Sequence, residues 1–242
     1  VGDKIVSGMA DGPILVWSTA TWEVERTLEG HEAGAQALLQ VGDVLVSGGS
    51  DETLKVWNTA TWACERTMEG HTEAVNCLAE FDGKVLSGSE DKTIKLWDPR
   101  TGACERTLEA PHHVFSLCVV GDKIVSGLSD GNILVWSTAT WELERTLEGH
   151  ERAVMSLVMC GSSLVSGSYD HTIRVWSTAT WTCERTLTDH TDYVYGLVMC
   201  GDKLASGSYD KTIKIWNTTT WTCDRTLAEH TDYVYRLATT HD

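Results

Sequence analysis

The first eight residues of the chain, VGDKIVSG, return unchanged at Val120 to Gly127, and the repetition does not stop there. ILVWSTATWE begins at Ile14 and again at Ile133. GSYDHTIRVWSTATWTCERTL from Gly167 comes back as GSYDKTIKIWNTTTWTCDRTL from Gly207. One tryptophan marks the period: Trp17, Trp57, Trp97, Trp136, Trp176 and Trp216 are separated by steps of 40, 40, 39, 40 and 40 residues. A unit of that length is one supersecondary element, and it buries its apolar face only by stacking on its neighbours. No Pro/Gly/Ser-rich linker or charge run interrupts the series, so residues 1–242 are expected to form a single domain.

Each unit reads as four short strands. In the fifth copy, VMSLVM from Val154 is an apolar strand and LVSG from Leu164 a second. A turn at Tyr169–Asp170–His171 leads into TIRVW, which alternates apolar and polar residues and is β-branched at Thr172, Ile173 and Val175. The STAT loop then leads to TCERTL, a fourth strand. Strands this short hold no core alone, but twisted four-stranded sheets packed face to face do. The class is all-β.

The repeat resembles the WD-repeat β-propeller family over the whole chain. The motif residues are Gly-His before the first strand (EGH at His31, His71 and His150, with DH or EH at His190 and His230), Ser in the second, Asp in the turn and Trp in the third. The dipeptide after the turn is Trp-Asp only at Trp97–Asp98 and mostly Trp-Ser or Trp-Asn elsewhere. The resemblance implies a propeller of six four-stranded antiparallel blades, closed by the C-terminal strand YVYRLATT joining the three N-terminal ones and covering an open edge. A seven-bladed parent short of one blade is the alternative.

The resemblance also implies a structural hydrogen-bond chain in each blade. The sets are Asp51, His31, Ser47 and Trp57; Asp91, His71, Ser87 and Trp97; Asp170, His150, Ser166 and Trp176; and Asp210, His190, Ser206 and Trp216. The closing blade would join Asp11, Ser7 and Trp17 to His230. The remaining blade has Asp130, Ser126 and Trp136, but Pro111 stands where its histidine belongs, with His112 and His113 displaced. Asp, His and Ser together invite a hydrolase reading. An active site is not copied around a whole repeat array, and no asymmetric cluster of acid, base and metal ligands is present. No catalytic residue, metal site or cofactor is expected, and the Pro111 blade should be the least stable.

The six tyrosines fall at two kinds of position. Tyr169 and Tyr209 precede the turn Asp, while Tyr193, Tyr195, Tyr233 and Tyr235 flank the start of a first strand in HTDYVY. Met155 and Phe115 hold equivalent positions, and Asp192 and Asp232 lie beside them. In the family these positions border the top face, so this set is the candidate partner-binding surface, with aromatic anchors for an Arg or Lys whose charge meets a carboxylate. Common ancestry of recent duplicates and loop packing also explain the shared tyrosines. A second aromatic series, Trp22, Trp62, Trp141, Trp181 and Trp221, has Gly102 at the same place in the third copy. It packs over the blade end or forms a ring on the opposite face.

Acidic residues number 35 against 19 Lys and Arg, a net charge of −16. That balance argues against nucleic acid and membrane surfaces and suits other proteins or peptides, basic segments among them. No apolar stretch approaches the length of a membrane span. The eight cysteines form no CxxC pair and read as small buried apolar residues and free thiols, which points to the cytoplasm or nucleus. The expectation is a non-catalytic interaction scaffold or peptide reader, monomeric as an isolated domain. A purely structural ring, excised or engineered, is the alternative, ahead of a propeller hydrolase.

Overall fold

The computed structural model describes residues 2–239. The described chain is all-β, and its 23 strands form six antiparallel sheets, the blades of a β-propeller. It falls into two compact units, residues 1–119 and 120–242. The first contains the sheets β1-β2-β3 (Lys4–Gly8, Ile14–Ser18, Val24–Leu28), β4 to β7 (Ala35–Val41, Val44–Gly49, Leu54–Asn58, Cys64–Met68) and β8 to β11 (Val75–Phe81, Lys84–Ser89, Thr93–Trp97, Cys104–Glu109), then β12 (Val114–Val120). The second contains β13 to β15 (Lys123–Leu128, Ile133–Ser137, Leu143–Leu147). It ends with the sheets β16 to β19 (Val154–Cys160, Ser163–Ser168, Ile173–Ser177, Cys183–Leu187) and β20 to β23 (Val194–Cys200, Lys203–Ser208, Ile213–Asn217, Cys223–Leu227).

Burial follows from the residue pattern within each sheet. The second strand is buried on both faces, as in β9, where Val85 to Ser89 are all buried. The third alternates: Leu54 and Val56 of β6 face in while Lys55 faces out. The fourth strand is the polar outer edge, exposed along most of CERTL in β19. Here the acid is paired: Lys123 meets Glu144 and Lys203 meets Asp224, each at 2.8 Å. Sheets stack through a glycine of the second strand. A Cβ on Gly48 would lie 2.6 Å from Val75, and one on Gly88 would lie 2.5 Å from Val114. No side chain fits at that approach. Val46, Leu54, Val56, Met68, Val75, Val85 and Trp97 complete one such interface.

Two devices recur. The third and fourth strands are offset by a bulge at the motif tryptophan, as at Val56/Trp57 and Val175/Trp176. Their connection turns through a residue in the left-handed region: Trp22, Trp62, Trp141, Trp181 and Trp221 at φ 59–63°, and Gly102 at φ 79°. Gly102 was the legible sign of this conformation, because glycine alone adopts it without cost. Of the tryptophans, Trp62 and Trp221 pack against neighbouring apolar clusters, whereas Trp22 is 68% exposed.

Among the described residues the first sheet has three strands, and residues 233–239, the described part of the expected closing strand, carry no strand assignment. Val234 does repeat the stacking contact, since a Cβ on Gly207 would lie 2.6 Å from it and its N–H bonds to the Ser208 carbonyl at 3.0 Å. The start of this segment is therefore seated on the last sheet as other first strands are, but its ladder is not completed. The cysteine expectation also changes. All eight thiols are free, but only Cys77 is fully buried, and Cys64, Cys104 and Cys183 are exposed because their strands are outer edges.

Candidate functional site

The expected hydrogen-bond chain is present in four sheets, with contacts of 2.6–2.9 Å throughout. Trp57 Nε1 donates to Ser47 Oγ, Ser47 meets His31 Nε2, and His31 Nδ1 meets Asp51. The same order runs through Trp97, Ser87, His71 and Asp91. It recurs through Trp176, Ser166, His150 and Asp170, and through Trp216, Ser206, His190 and Asp210. Donor chemistry sets the direction. An indole N–H only donates and a carboxylate only accepts, so the histidine proton sits on Nδ1 and Nε2 accepts the serine O–H.

Burial lowers the pKa of His31, His71, His150 and His190, more than the bonds to their aspartates raise it. The imidazoles are neutral. For Asp210, burial disfavours ionisation, but hydrogen bonds from Thr212 and His190 outweigh it and hold the carboxyl at about 2. Ser47, Ser87, Ser166 and Ser206 are fully buried and already accept from tryptophan, so no substrate carbonyl reaches them.

Two sheets depart from this pattern. In the first sheet Trp17 donates to Ser7 at 2.9 Å; Asp11 and His230, the other two residues of the expected closing set, are both exposed. In the Pro111 repeat His112 is exposed and His113 Nδ1 bonds to the Glu90 carbonyl. Trp136 still donates to Ser126 at 3.0 Å, and Asn132 donates to Asp130 at 2.6 Å. β1 is half-buried where β5, β9, β17 and β21 are buried. Native-state hydrogen exchange should therefore be fastest in β1, intermediate in β13 and slowest in β5, β9, β17 and β21. Equal protection of all six strands would show that the histidine chains add nothing to local stability.

The tyrosines do come together. All six lie in the second unit and form one continuous ladder. Tyr193 stacks on Tyr169 at 4.5 Å, Tyr195 on Tyr209 at 5.1 Å, and Tyr209 on Tyr233 at 3.9 Å. Tyr195 and Tyr235 meet edge to face at 5.0 Å. The hydroxyls of Tyr169 and Tyr195 are bonded, and Tyr209 donates to Tyr235 at 3.0 Å. The local cause is a bulge between Val194 and Gly196 that leaves Tyr195 as the extra residue, turned off the ladder of β20. Burial, with the bond to Tyr195, pushes the Tyr169 phenol far up.

Stacking uses the ring faces, so the ladder shows edges and hydroxyls to solvent. Tyr233 and Tyr235 are 42% and 48% exposed, and Lys211 lies 5.8 Å from the centre of the Tyr233 ring. Met155 does not join this surface. It occupies the equivalent bulge in β16 but is only 6% exposed, because its flexible chain folds inward where a phenol with a polar tip cannot. Phe115 is half-buried beside His113 in the other unit. Asp192 and Asp232 each accept the backbone N–H of the tyrosine that follows.

An open cleft of about 420 Å³ adjoins the ladder, lined by Glu151, Arg152, Tyr169, Asp170, His171, Asp192 and Tyr193. Arg152 donates to the Tyr193 hydroxyl at 3.4 Å, and His171 Nε2 is 3.9 Å from Asp192. Sequence reasoning missed Arg152, His171 and Lys211, whose only signal was their place next to motif positions.

The pattern of the WD domain, G-beta repeat, matches residues 22–58, 62–98, 102–137, 141–177 and 181–217. The chain belongs to the WD-repeat family. Among similar solved structures is the crystal structure of the computationally designed Ika8 protein. It is 32% identical, has a TM-score of 0.83, and the match covers 99% of this chain and 76% of that one. A search among curated proteins gave no match. As a WD-repeat chain it carries the Trp-Ser-His-Asp chain in the four sheets described above, and the tyrosine ladder uses none of those residues.

Proposed function

We propose that this WD-repeat protein is a non-catalytic interaction module that takes a protein or peptide partner on its tyrosine ladder. The carrying observation is the ladder itself, all six tyrosines of the chain in one stack with Tyr233 and Tyr235 exposed. Aromatic rings held rigid by one another lose little conformational freedom on binding, which favours them as anchors. Ring edges and the hydroxyls of Tyr195 and Tyr235 suit a partner that presents carbonyl acceptors. The acids Glu151, Asp192 and Asp232 and the net charge of −16 favour basic segments in that partner. Charge pairing is the basic contribution here, since most tyrosine faces are spent on stacking. Free exposed thiols fit a reducing compartment, the cytoplasm or nucleus.

The test is a peptide-library screen of the parent against the Tyr195→Ala/Tyr235→Ala variant. Peptides retained by the parent should bind the variant at least about tenfold more weakly, the effect of losing two interface anchors. Binding that survives the variant sinks the ladder as the site and moves attention to Trp22 and its equivalents. The likeness to a designed protein favours a second reading, a structural ring with no site of its own, and a parent that retains no peptide would support it.

A further inference from the structure

We propose that Tyr209 and Tyr235 form an oxidation-ready phenol pair, which a one-electron oxidant converts into an intramolecular dityrosine that staples the C-terminal segment to the last sheet. The geometry of the two rings carries this independently of any partner bound at the ladder. Tyr209 precedes the turn Asp after β21, and Tyr235 lies in residues 233–239, which carry no strand assignment. Their ring centres are 5.3 Å apart with the planes at 73°, and the Tyr209 hydroxyl donates to that of Tyr235 at 3.0 Å. Joining two phenols at the carbons ortho to their hydroxyls gives a twisted biphenol with its two oxygens side by side. The observed pair already has both features, the bonded oxygens and the crossed planes. Holding reacting groups in such a pose replaces a bimolecular encounter with an intramolecular step.

Tyr235 is accessible to an oxidant, being 48% exposed. It also lies one residue past the Val234 bond to Ser208, in residues 233–239 that carry no strand assignment, so its backbone can follow the ring as the new bond closes. The stacks of Tyr209 on Tyr195 and Tyr233 place further phenols in contact with the same ring, so a radical formed along the ladder can pass to Tyr209. The oxidant is the ferryl haem of a peroxidase charged with hydrogen peroxide. Each phenol yields one electron and one proton to it. The two phenoxyl radicals form a carbon–carbon bond between ortho positions, and the ortho protons then move to the oxygens. Two tyrosines and one peroxide give one dityrosine and two waters.

The stapled product should hold the C-terminal segment against proteolysis. The experiment treats the full chain with peroxidase and hydrogen peroxide, and reads dityrosine fluorescence, intact mass and cross-linked tryptic peptides. The expected product is a monomer lighter by two hydrogens, with the Tyr209 peptide joined to the Tyr235 peptide. Tyr235→Phe keeps the ring and its packing but removes the phenol, and should abolish that joined peptide, as should treatment in denaturant. Tyr193→Phe should leave it intact. Cross-links only between molecules, or an intramolecular link formed equally well in Tyr235→Phe or in denaturant, would overturn the assignment.

Discussion

Replacing His71 with alanine should lower the stability of the chain by about 3 kcal/mol, a fall in Tm of roughly 6–12 °C for a protein of this size. His71 is buried and joins Ser87 at 2.6 Å to Asp91 at 2.7 Å. Its loss leaves the Ser87 hydroxyl without its acceptor and the Asp91 carboxylate, itself nearly buried, with Thr93 but without its histidine donor. A buried polar group stripped of its partner costs about 1–3 kcal/mol, and the emptied volume adds to that. His230→Ala is the internal comparison. His230 occupies the same place in the repeat but is exposed, so its removal should cost within about 0.5 kcal/mol. Thermal or denaturant unfolding of the two variants decides the matter, and equal effects would mean that the relay is ornamental.

Lowering the pH from about 7.5 to about 5 should destabilise the protein well before its carboxylates protonate. His31, His71, His150 and His190 have folded-state pKa values below the usual value of 6.5, burial being the main cause. Above 6.5 they are neutral in both states, and their contribution is fully present. Below it the unfolded chain binds protons that the folded chain refuses, so stability falls as the pH drops from 6.5 toward the folded values. Each such histidine costs up to about 1.4 kcal/mol per pH unit in that window. A second loss follows at lower pH, where Asp210, held at about 2 in the folded state, protonates more readily in the unfolded chain, near 3.8. Unfolding curves across this range, with proton uptake measured by calorimetry in buffers of different ionisation heat, read the effect directly. A Tm flat from about pH 7 to 5.5, or rising as the pH falls, would show that these histidines carry their charge when folded.

Most of the fold was legible because the repeat writes the same instruction many times. The spacing of Trp to Ser by ten residues and of His to Asp by twenty recurs in four copies, and the structure joins those atoms in all four. Strand positions in the fifth copy followed from alternation and β-branching, and β16 to β19 lie where VMSLVM, LVSG, TIRVW and TCERTL were read. The failures are local and share a cause. Met155 and Tyr195 occupy the same bulge, yet one is buried and the other stands in an aromatic stack. His230 matches its equivalents in sequence, yet lies exposed beside a segment without a strand. The alternation of a strand states which face a side chain takes, but not what stands opposite.

By itself, then, the sequence determined the all-β class, the six sheets, four of the five expected polar chains and the clustering of tyrosines at two repeat positions. These depend on distances along the chain, which a period of about forty residues makes explicit. Only the tertiary structure decided that the tyrosines turn their faces to one another and their edges to solvent, that Tyr209 and Tyr235 share a hydrogen bond, and that Met155 is buried where Tyr195 stacks. Those outcomes depend on the few ångströms between side chains from different repeats, and on whether a neighbouring sheet is there to cover them. Packing sets both, and no periodicity records them.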